Sequence, residues 1–234
     1  MNIALILSGG TGLRLGTDIP KQYLEVNGRT VISYCLEVFE NCPDISAVQI
    51  VAQEEWKELI GKSGLTKCKG FSAPGENRQL SILNGLKDIR QYAEKDDIVI
   101  IHDAARPLVS RQLIENVIEA ARVHDGAIPV LPMKDTVYFS KDGRKITSLL
   151  ERKGVVAGQA PEAFKLEAYY EANRKLLPDK ILEINGSTEP AILAGLDIAM
   201  IHGDESNFKI TTKDDLLRFE EMISGRTSVS HDRG

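Results

Sequence analysis

Residues 5–24 read LILSGGTGLRLGTDIPKQYL, an apolar run that ends in Gly9, Gly10, Gly12 and Gly16 and is followed by cations at Arg14 and Lys21. A strand that opens into such a backbone-rich turn marks the start of a βα unit. The rest of the chain repeats the scheme. IALIL (3–7), ISAVQIVA (45–52), DIVIIHDA (97–104), GAIPVLP (126–132) and LDIAMIHG (196–203) read as strands. Between them TVISYCLEVFE (30–40), RQLSILNGLKDIRQYA (78–93) and RQLIENVIEAARVH (111–124) space their apolar residues as helices do, the last with Ser110 as its N-cap. This alternation predicts a three-layer α/β domain on a mainly parallel sheet, in which ligands collect at the carboxyl ends of the strands.

Composition narrows the function classes. A chain of 234 residues, 42% hydrophobic, buries a full core as one large domain or two small ones. A net charge of -5 argues against a nucleic-acid partner held by bulk phosphate attraction, so any phosphate chemistry must come from a local cation cluster. There is no signal-like N-terminus and no apolar stretch of membrane length, so no membrane partner is expected. Cys35, Cys42 and Cys68 form no CxxC pair and read as reduced thiols of a cytoplasmic protein. His102, His124, His202 and His231 are scattered without an HExxH, which argues against a zinc site.

One segment breaks the rhythm. DTVYFSKDGRKITSLLER (135–152) reads as a β-hairpin turning at Asp142-Gly143, and a lone hairpin needs a surface to lean on. The tail 224–234 is polar and patternless, and is expected to be loose.

Four strand-end or loop motifs carry the chemistry. The glycines after the first strand fit neither the dinucleotide fingerprint, whose third glycine would fall on Leu15, nor a Walker A loop, since no Gly-Lys-Ser/Thr follows. What remains is a turn that lets backbone N–H groups approach a phosphate chain, with Arg14 and Lys21 supplying charge; the plainer alternative is an ordinary βα turn with two solvated cations. His102-Asp103-Ala104-Ala105-Arg106-Pro107 follows IVII. There Asp103 suits Mg²⁺ or a ribose hydroxyl and Arg106 a substrate phosphate, against a plain Asp–Arg pair that holds a loop. Pro74 to Ser81 is a glycine turn feeding a helix, open to an anion or a base edge. Asn207-Phe208-Lys209-Ile210-Thr211-Thr212 puts Lys209 close to Asp204 and Glu205, as a surface ion pair or as part of a metal–phosphate site.

Taken together, GGTGLRLG…PKQYL, the Asn77–Leu86 segment, HDAARP, Asp135-Thr136, GQAPEAF and NFKITT stand in the order and spacing of one family. The chain resembles the cytidylyltransferases that make CDP-linked polyols, the methylerythritol-phosphate and ribitol-5-phosphate cytidylyltransferases. The resemblance covers residues 1–223, read as a single domain. It implies a Rossmann-like three-layer nucleotidyltransferase fold with a protruding hairpin arm at about 136–152. By resemblance, Ser8, Gly9, Gly10, Thr11 and Gly12 would wrap the CTP triphosphate, and Arg14 and Lys21 would be the catalytic cations. Gly75, Asn77, Arg78 and Ser81 would serve base and ribose. Asp103, beside Ala104, would lie near Mg²⁺ and the nucleotide; Arg106, Thr136 and Arg152 would meet the acceptor; Lys209 would bind phosphate. The arm would make a homodimer and reach the partner's site.

Two departures from the family pattern fall on the acceptor side. Ala160 stands where a threonine would contact the acceptor phosphate, and the segment Asn185–Glu189 differs from the family's Thr-Asp start. Both are expected to shift acceptor specificity, the plainer alternative being that Ser187 or Thr188 supplies the missing hydroxyl and specificity is unchanged. The reading adopted is CTP plus a polyol phosphate such as ribitol 5-phosphate, giving a CDP-alcohol and pyrophosphate for a cell-wall or capsule polymer. The alternative is methylerythritol phosphate and isoprenoid synthesis, and a remoter one is a non-catalytic nucleotide-binding module. No triad or covalent nucleophile is needed, because the attacking phosphate oxygen comes with the substrate.

Overall fold

The computed structural model describes residues 1–10, 16 and 19–231, the side chains of 226–231 excepted. The expected loop residues Thr11, Gly12 and Arg14 therefore lie outside the described residues.

In chain order, β1 (Asn2–Leu7), β2 (Glu25–Val26) and β3 (Arg29–Thr30) lead into α1 (Val31–Asn41). Next come β4 (Ala47–Val51), α2 (Lys57–Gly61), β5 (Cys68–Ser72), α3 (Arg78–Ile89), β6 (Ile98–Asp103), α4 (Arg111–Val123) and β7 (Gly126–Pro132). After the arm strands β8 (Tyr138–Phe139) and β9 (Ser148–Leu149) the chain forms β10 (Val156–Gly158), β11 (Glu162–Lys165) and α5 (Leu166–Arg174). It closes with α6 (Lys180–Glu183), α7 (Glu189–Leu193), β12 (Ile198–His202) and α8 (Lys213–His231).

The described residues form an eight-stranded sheet in the order β10-β7-β11-β6-β1-β4-β5, with β12 also paired to β7. Strands β6, β1, β4 and β5 run parallel, as does β12 on β7, while β11 lies antiparallel between β6 and β7. The apolar runs Ile3–Leu7 of β1 and Ile98–Ile101 of β6, and β4 with only the buried Gln49 interrupting it, follow from burial on both faces. Alternate residues of β1 point opposite ways: Ala4 and Ile6 pack with α1 and α4, Ile3 and Leu5 with α3 and α5.

Several expectations from the sequence hold to within a residue or two. Ser110 caps α4 by accepting from the Leu113 amide at 3.2 Å. The arm is an antiparallel hairpin, but its ladder is short, with Tyr138 opposite Leu149 and Phe139 opposite Ser148. Its tip is a wider loop than a two-residue turn: Asp142 Oδ1 accepts from the amides of Arg144 and Lys145, and Gly143 sits at φ 68°.

The end of the chain needs correction. Residues 224–231, expected to be a patternless tail, continue α8 as helix to His231. The helix is started by a reciprocal cap, in which Asp215 Oδ2 accepts from the Thr212 amide at 2.8 Å and Thr212 Oγ1 from the Asp215 amide at 3.2 Å. Phe219, Leu216, Met222 and Ile223 seat it on Val26, Val31 and Ile210. No proline follows to stop the helix, and one glycine costs only ~1 kcal/mol.

Candidate active site

The carboxyl ends of β1, β4 and β6 open into a cleft of about 680 Å³. Parallel pairing of β1 with β6 puts Leu7 opposite Asp103, so the glycine turn and the acidic strand end meet by register. Gly9 and Gly10 line one side, Lys21 and Gln22 border it, and Gly75, Asn77, Arg78 and Ser81 come from the turn before α3. Asp103 and Lys209 line the cleft as well.

Two glycines are required by close approach. A Cβ on Gly9 would stand 2.5 Å from Pro74 Cβ, and one on Gly75 would stand 2.4 Å from Leu80 Cβ and 2.8 Å from the Ser81 nitrogen. Both turns are thus packed against neighbouring chain in a way that excludes any side chain. The Gly75 amide donates to Ser81 Oγ at 2.9 Å, and that hydroxyl donates to the Asn77 carbonyl at 2.9 Å. Asn77 is used by the turn itself: Oδ1 accepts from the Leu80 amide at 2.8 Å and Nδ2 donates to the Ile181 carbonyl at 2.9 Å.

Asp103 is the electrostatic centre. Arg78 Nε donates to its Oδ1 at 3.0 Å, with Nη2 at 3.0 Å from the same oxygen, and Lys209 Nζ donates to Oδ2 at 2.9 Å. Arg106 Nε stands 3.9 Å from Oδ2. Burial alone would push this carboxyl up, but Arg78, Lys209 and Arg106 together outweigh it and hold Asp103 well below the usual carboxylate range. Arg78 is raised in turn: burial works against its charge, and Asp103 and Glu162 more than offset that. Burial lowers Arg106; its Nη1 donates to the Asn207 carbonyl at 2.7 Å, while its Nε has no hydrogen-bond partner among the described residues.

Other expected residues lie elsewhere. Ser8 is buried behind the turn, its Oγ 2.6 Å from Tyr23 Oη, and Ala104 is buried beside it, its amide donating to the Leu7 carbonyl at 3.0 Å. Lys209 turns to Asp103 rather than to its sequence neighbours: Glu205 pairs with Lys134 at 2.5 Å, and Asp204 Oδ1 accepts from the Ser206 amide at 2.8 Å. Neither Asp204 nor Glu205 borders the cleft. Thr136 and Arg152 sit exposed at the base of the arm, Arg152 Nη1 donating to the Lys134 carbonyl at 2.8 Å, and the cleft of the same chain does not include them. Ala160 is buried, and its carbonyl accepts from Asn207 Nδ2 at 2.6 Å. Ser187 and Thr188, whose hydroxyls the alternative reading assigned to the acceptor, both donate to Glu162 instead.

The sequence reading left out Gln22, Gln53 and Glu76, which line the cleft. Gln53 lies two residues past the end of β4, so the strand-end rule points to it. Gln22 carries no such signal.

The arrangement is a glycine-walled cleft at parallel strand ends with Lys21, Arg78 and Lys209 on its lining, chemistry that suits a phosphate-bearing ligand. The protein-family description "IspD: 2-C-methyl-D-erythritol 4-phosphate cytidylyltransferase" matches residues 2–224. A ribitol-5-phosphate cytidylyltransferase of Streptococcus agalactiae serotype V is 32% identical over 231 residues, covering 97% of this chain and 96% of its own. The 2-C-methyl-D-erythritol 4-phosphate cytidylyltransferase of Rubrobacter xylanophilus is 34% identical over 232 residues, covering 96% and 95%. Among solved structures, the 2-C-methyl-D-erythritol 4-phosphate cytidylyltransferase of Thermus thermophilus superposes with a TM-score of 0.74 at 28% identity, covering 94% of this chain and 98% of its own.

Proposed function

This chain belongs to the IspD family of cytidylyltransferases and is a CTP-dependent nucleotidyltransferase, and we propose that its acceptor is a polyol phosphate of the ribitol 5-phosphate kind. The observation that carries the nucleotide half is Asp103 gripped by Arg78 and Lys209 in the cleft that Gly9 and Gly10 also line. The acceptor half rests on the ribitol-5-phosphate relative, matched over nearly its whole length, and on the departures at Ala160 and Asn185–Glu189. Methylerythritol phosphate is the second reading, favoured by the family description and the Rubrobacter relative. Either way the family argues for catalysis and against a mere nucleotide-binding module.

In this reading the acceptor's phosphate oxygen attacks the α-phosphorus of CTP in line. A new P–O bond forms, the bond to the β-phosphate oxygen breaks, and pyrophosphate leaves with the electron pair. The chain supplies position and positive charge. Lys21 borders the cleft, and Arg14 is assigned the same role from sequence. Arg106 is the cation we assign to the acceptor's phosphate.

Mg²⁺ fits as an ion carried by the triphosphate. Asp103 and Glu76 are carboxylates that border the cleft, and the described residues include no group of three or more His, Cys, Asp or Glu side chains arranged to hold a metal. A small hard cation takes most of its ligands from phosphate and water in such sites. It would neutralise triphosphate charge, with Asp103 beside it, and activity is expected to vanish in excess EDTA.

A homodimer through the arm is part of the same reading, because Tyr138, Phe139, Ile146 and Leu149 are exposed apolar side chains on one short hairpin. Among the described residues no helix is long and apolar enough to cross a membrane, and the three cysteines are unpaired, which supports our placing the enzyme in the cytoplasm. Steady-state kinetics with CTP and ribitol 5-phosphate, methylerythritol phosphate or glycerol 3-phosphate test the acceptor. Preference for ribitol 5-phosphate is the expected result. Preference for methylerythritol phosphate, unaltered by Ala160→Thr, overturns it.

A further inference from the structure

Glu162, the first residue of β11, is a buried carboxylate outside the cleft lining. Ser187 Oγ donates to its Oε1 at 2.5 Å and Thr188 Oγ1 donates to its Oε2 at 2.7 Å. A serine hydroxyl has one proton, so once that proton is committed to Glu162 the oxygen's lone pairs face outward. One of them receives Arg78 Nη1 at 2.8 Å. The other edge of the same guanidinium holds Asp103 through Nε and Nη2. Arg78 is therefore clamped at both ends, by a cleft carboxylate on one side and a buried one on the other. The turn that carries Ser187 is fixed independently, its carbonyl accepting from Tyr169 Oη at 2.7 Å.

We propose that Glu162 is a positioning residue for the nucleotide cleft: through the Ser187 hydroxyl it holds the Arg78 guanidinium in the orientation that grips Asp103. A planar guanidinium needs acceptors in its own plane, and a hydroxyl whose proton pointed at Arg78 would repel it. Glu162 sets which way that proton points. Burial pushes the Glu162 carboxyl above its ordinary range, and Arg78, Ser187 and Thr188 offset that only in part.

The inference rests on the cleft being the CTP site, and the experiment separates the two. CTP affinity is measured by calorimetry on purified wild type, Glu162→Ala, Glu162→Gln, Ser187→Ala and the Glu162→Ala/Ser187→Ala double variant, with folding followed by thermal melts. We expect Glu162→Ala and Ser187→Ala each to weaken CTP binding about tenfold, the factor that ~1.4 kcal/mol represents. The double variant should cost little more than either single one, because both break the same link. Glu162→Gln keeps an acceptor for Ser187 and should recover most of the affinity. Loss of melting temperature with unchanged CTP affinity in Ser187→Ala, the milder change, overturns the proposal, as does full additivity of the two variants. Failure of the wild type to bind CTP at all overturns instead the reading of the cleft.

Discussion

The side-chain amide of Gln22 donates to the main-chain carbonyl of Gly10 at 2.8 Å, and the same nitrogen donates to the Ser8 carbonyl at 2.7 Å. One buried side chain thus ties down two peptide units of the glycine turn. Because the peptide is planar and trans, holding the Ser8 carbonyl toward Gln22 turns the Gly9 N–H the opposite way. Tyr23 adds a third contact, its hydroxyl donating to the Ser8 carbonyl at 2.9 Å, and stacks on Trp56 at 4.2 Å. Removing one partner of a buried hydrogen bond costs ~1–3 kcal/mol. Gln22→Ala is expected to raise the KM for CTP about tenfold while the protein stays folded. Gln22→Glu, which sets an acceptor against two carbonyls, should be worse. Steady-state kinetics with circular dichroism check both, and a Gln22→Glu enzyme as good as wild type would refute the role.

Lys21→Ala and Arg14→Ala are each expected to lower turnover by ~10²–10³, the usual cost of losing one well-placed cationic or hydrogen-bond donor to developing charge. Neither should alter the far-UV spectrum. Near-normal kcat in both variants would move the chemistry away from this cleft.

His102 gives a stability signature with a definite sign. It is fully buried on β6, with Nε2 3.0 Å from the Arg106 carbonyl and its ring 5.1 Å from Phe39. Burial pushes its imidazole down to about 4 from 6.5, against the smaller upward pull of Asp103. The neutral ring, then, is what the fold prefers. Its contribution is fully present above pH 6.5, and it is lost as pH falls from 6.5 toward 4, because the unfolded chain takes up the proton first. The difference amounts to ~3 kcal/mol, at about 1.4 kcal/mol per pH unit. Melting temperature should drop across that window, and the drop should shrink in a folded His102→Gln variant. A flat melting profile across the same window would contradict it.

The arm should pair two copies of the chain. Tyr138 is 52% exposed, Ile146 68% and Leu149 63%, and a hairpin whose ladder pairs only two residues per strand does not hold such side chains in place by itself. Sedimentation at micromolar concentration is expected to show a dimer, and Tyr138→Ser/Leu149→Ser a monomer. If the arm completes the neighbour's acceptor site through Thr136 or Arg152, mixing a Lys21→Ala chain with an Arg152→Ala chain should restore part of the activity. A wild-type monomer rules the arrangement out.

Much of the scaffold is written locally. The apolar runs of β1, β4, β6 and β7 can be read without tertiary knowledge, and β7 falls on Gly126–Pro132 as its sequence suggests, because a strand covered on both faces needs apolar residues at every position. The strand-end rule then leads from those runs to Gly9, Gly10 and Asp103. Strands β5 and β11 escape that reading. Cys68–Ser72 is only half apolar, and Glu162–Lys165 is four residues long with a charge at each end.

By itself, then, the sequence determined an α/β chain with a phosphate-seeking turn, an acidic strand end and a family of cytidylyltransferases, since strand burial, glycine turns and caps are set by near neighbours. Only the tertiary structure decided who meets whom. Lys209 stands beside Asp204 and Glu205 in sequence yet donates to Asp103, 106 residues away, because the segment 207–210 is pinned under Arg106 and Ala105. Glu162 looks like an ordinary strand-end acid until β11 is inserted antiparallel beside β6 and the 187–188 turn closes over it. Such contacts cost chain entropy that no local pattern records, and they form because burying the sheet from both sides brings distant carboxylates and cations into a space where each must find a partner.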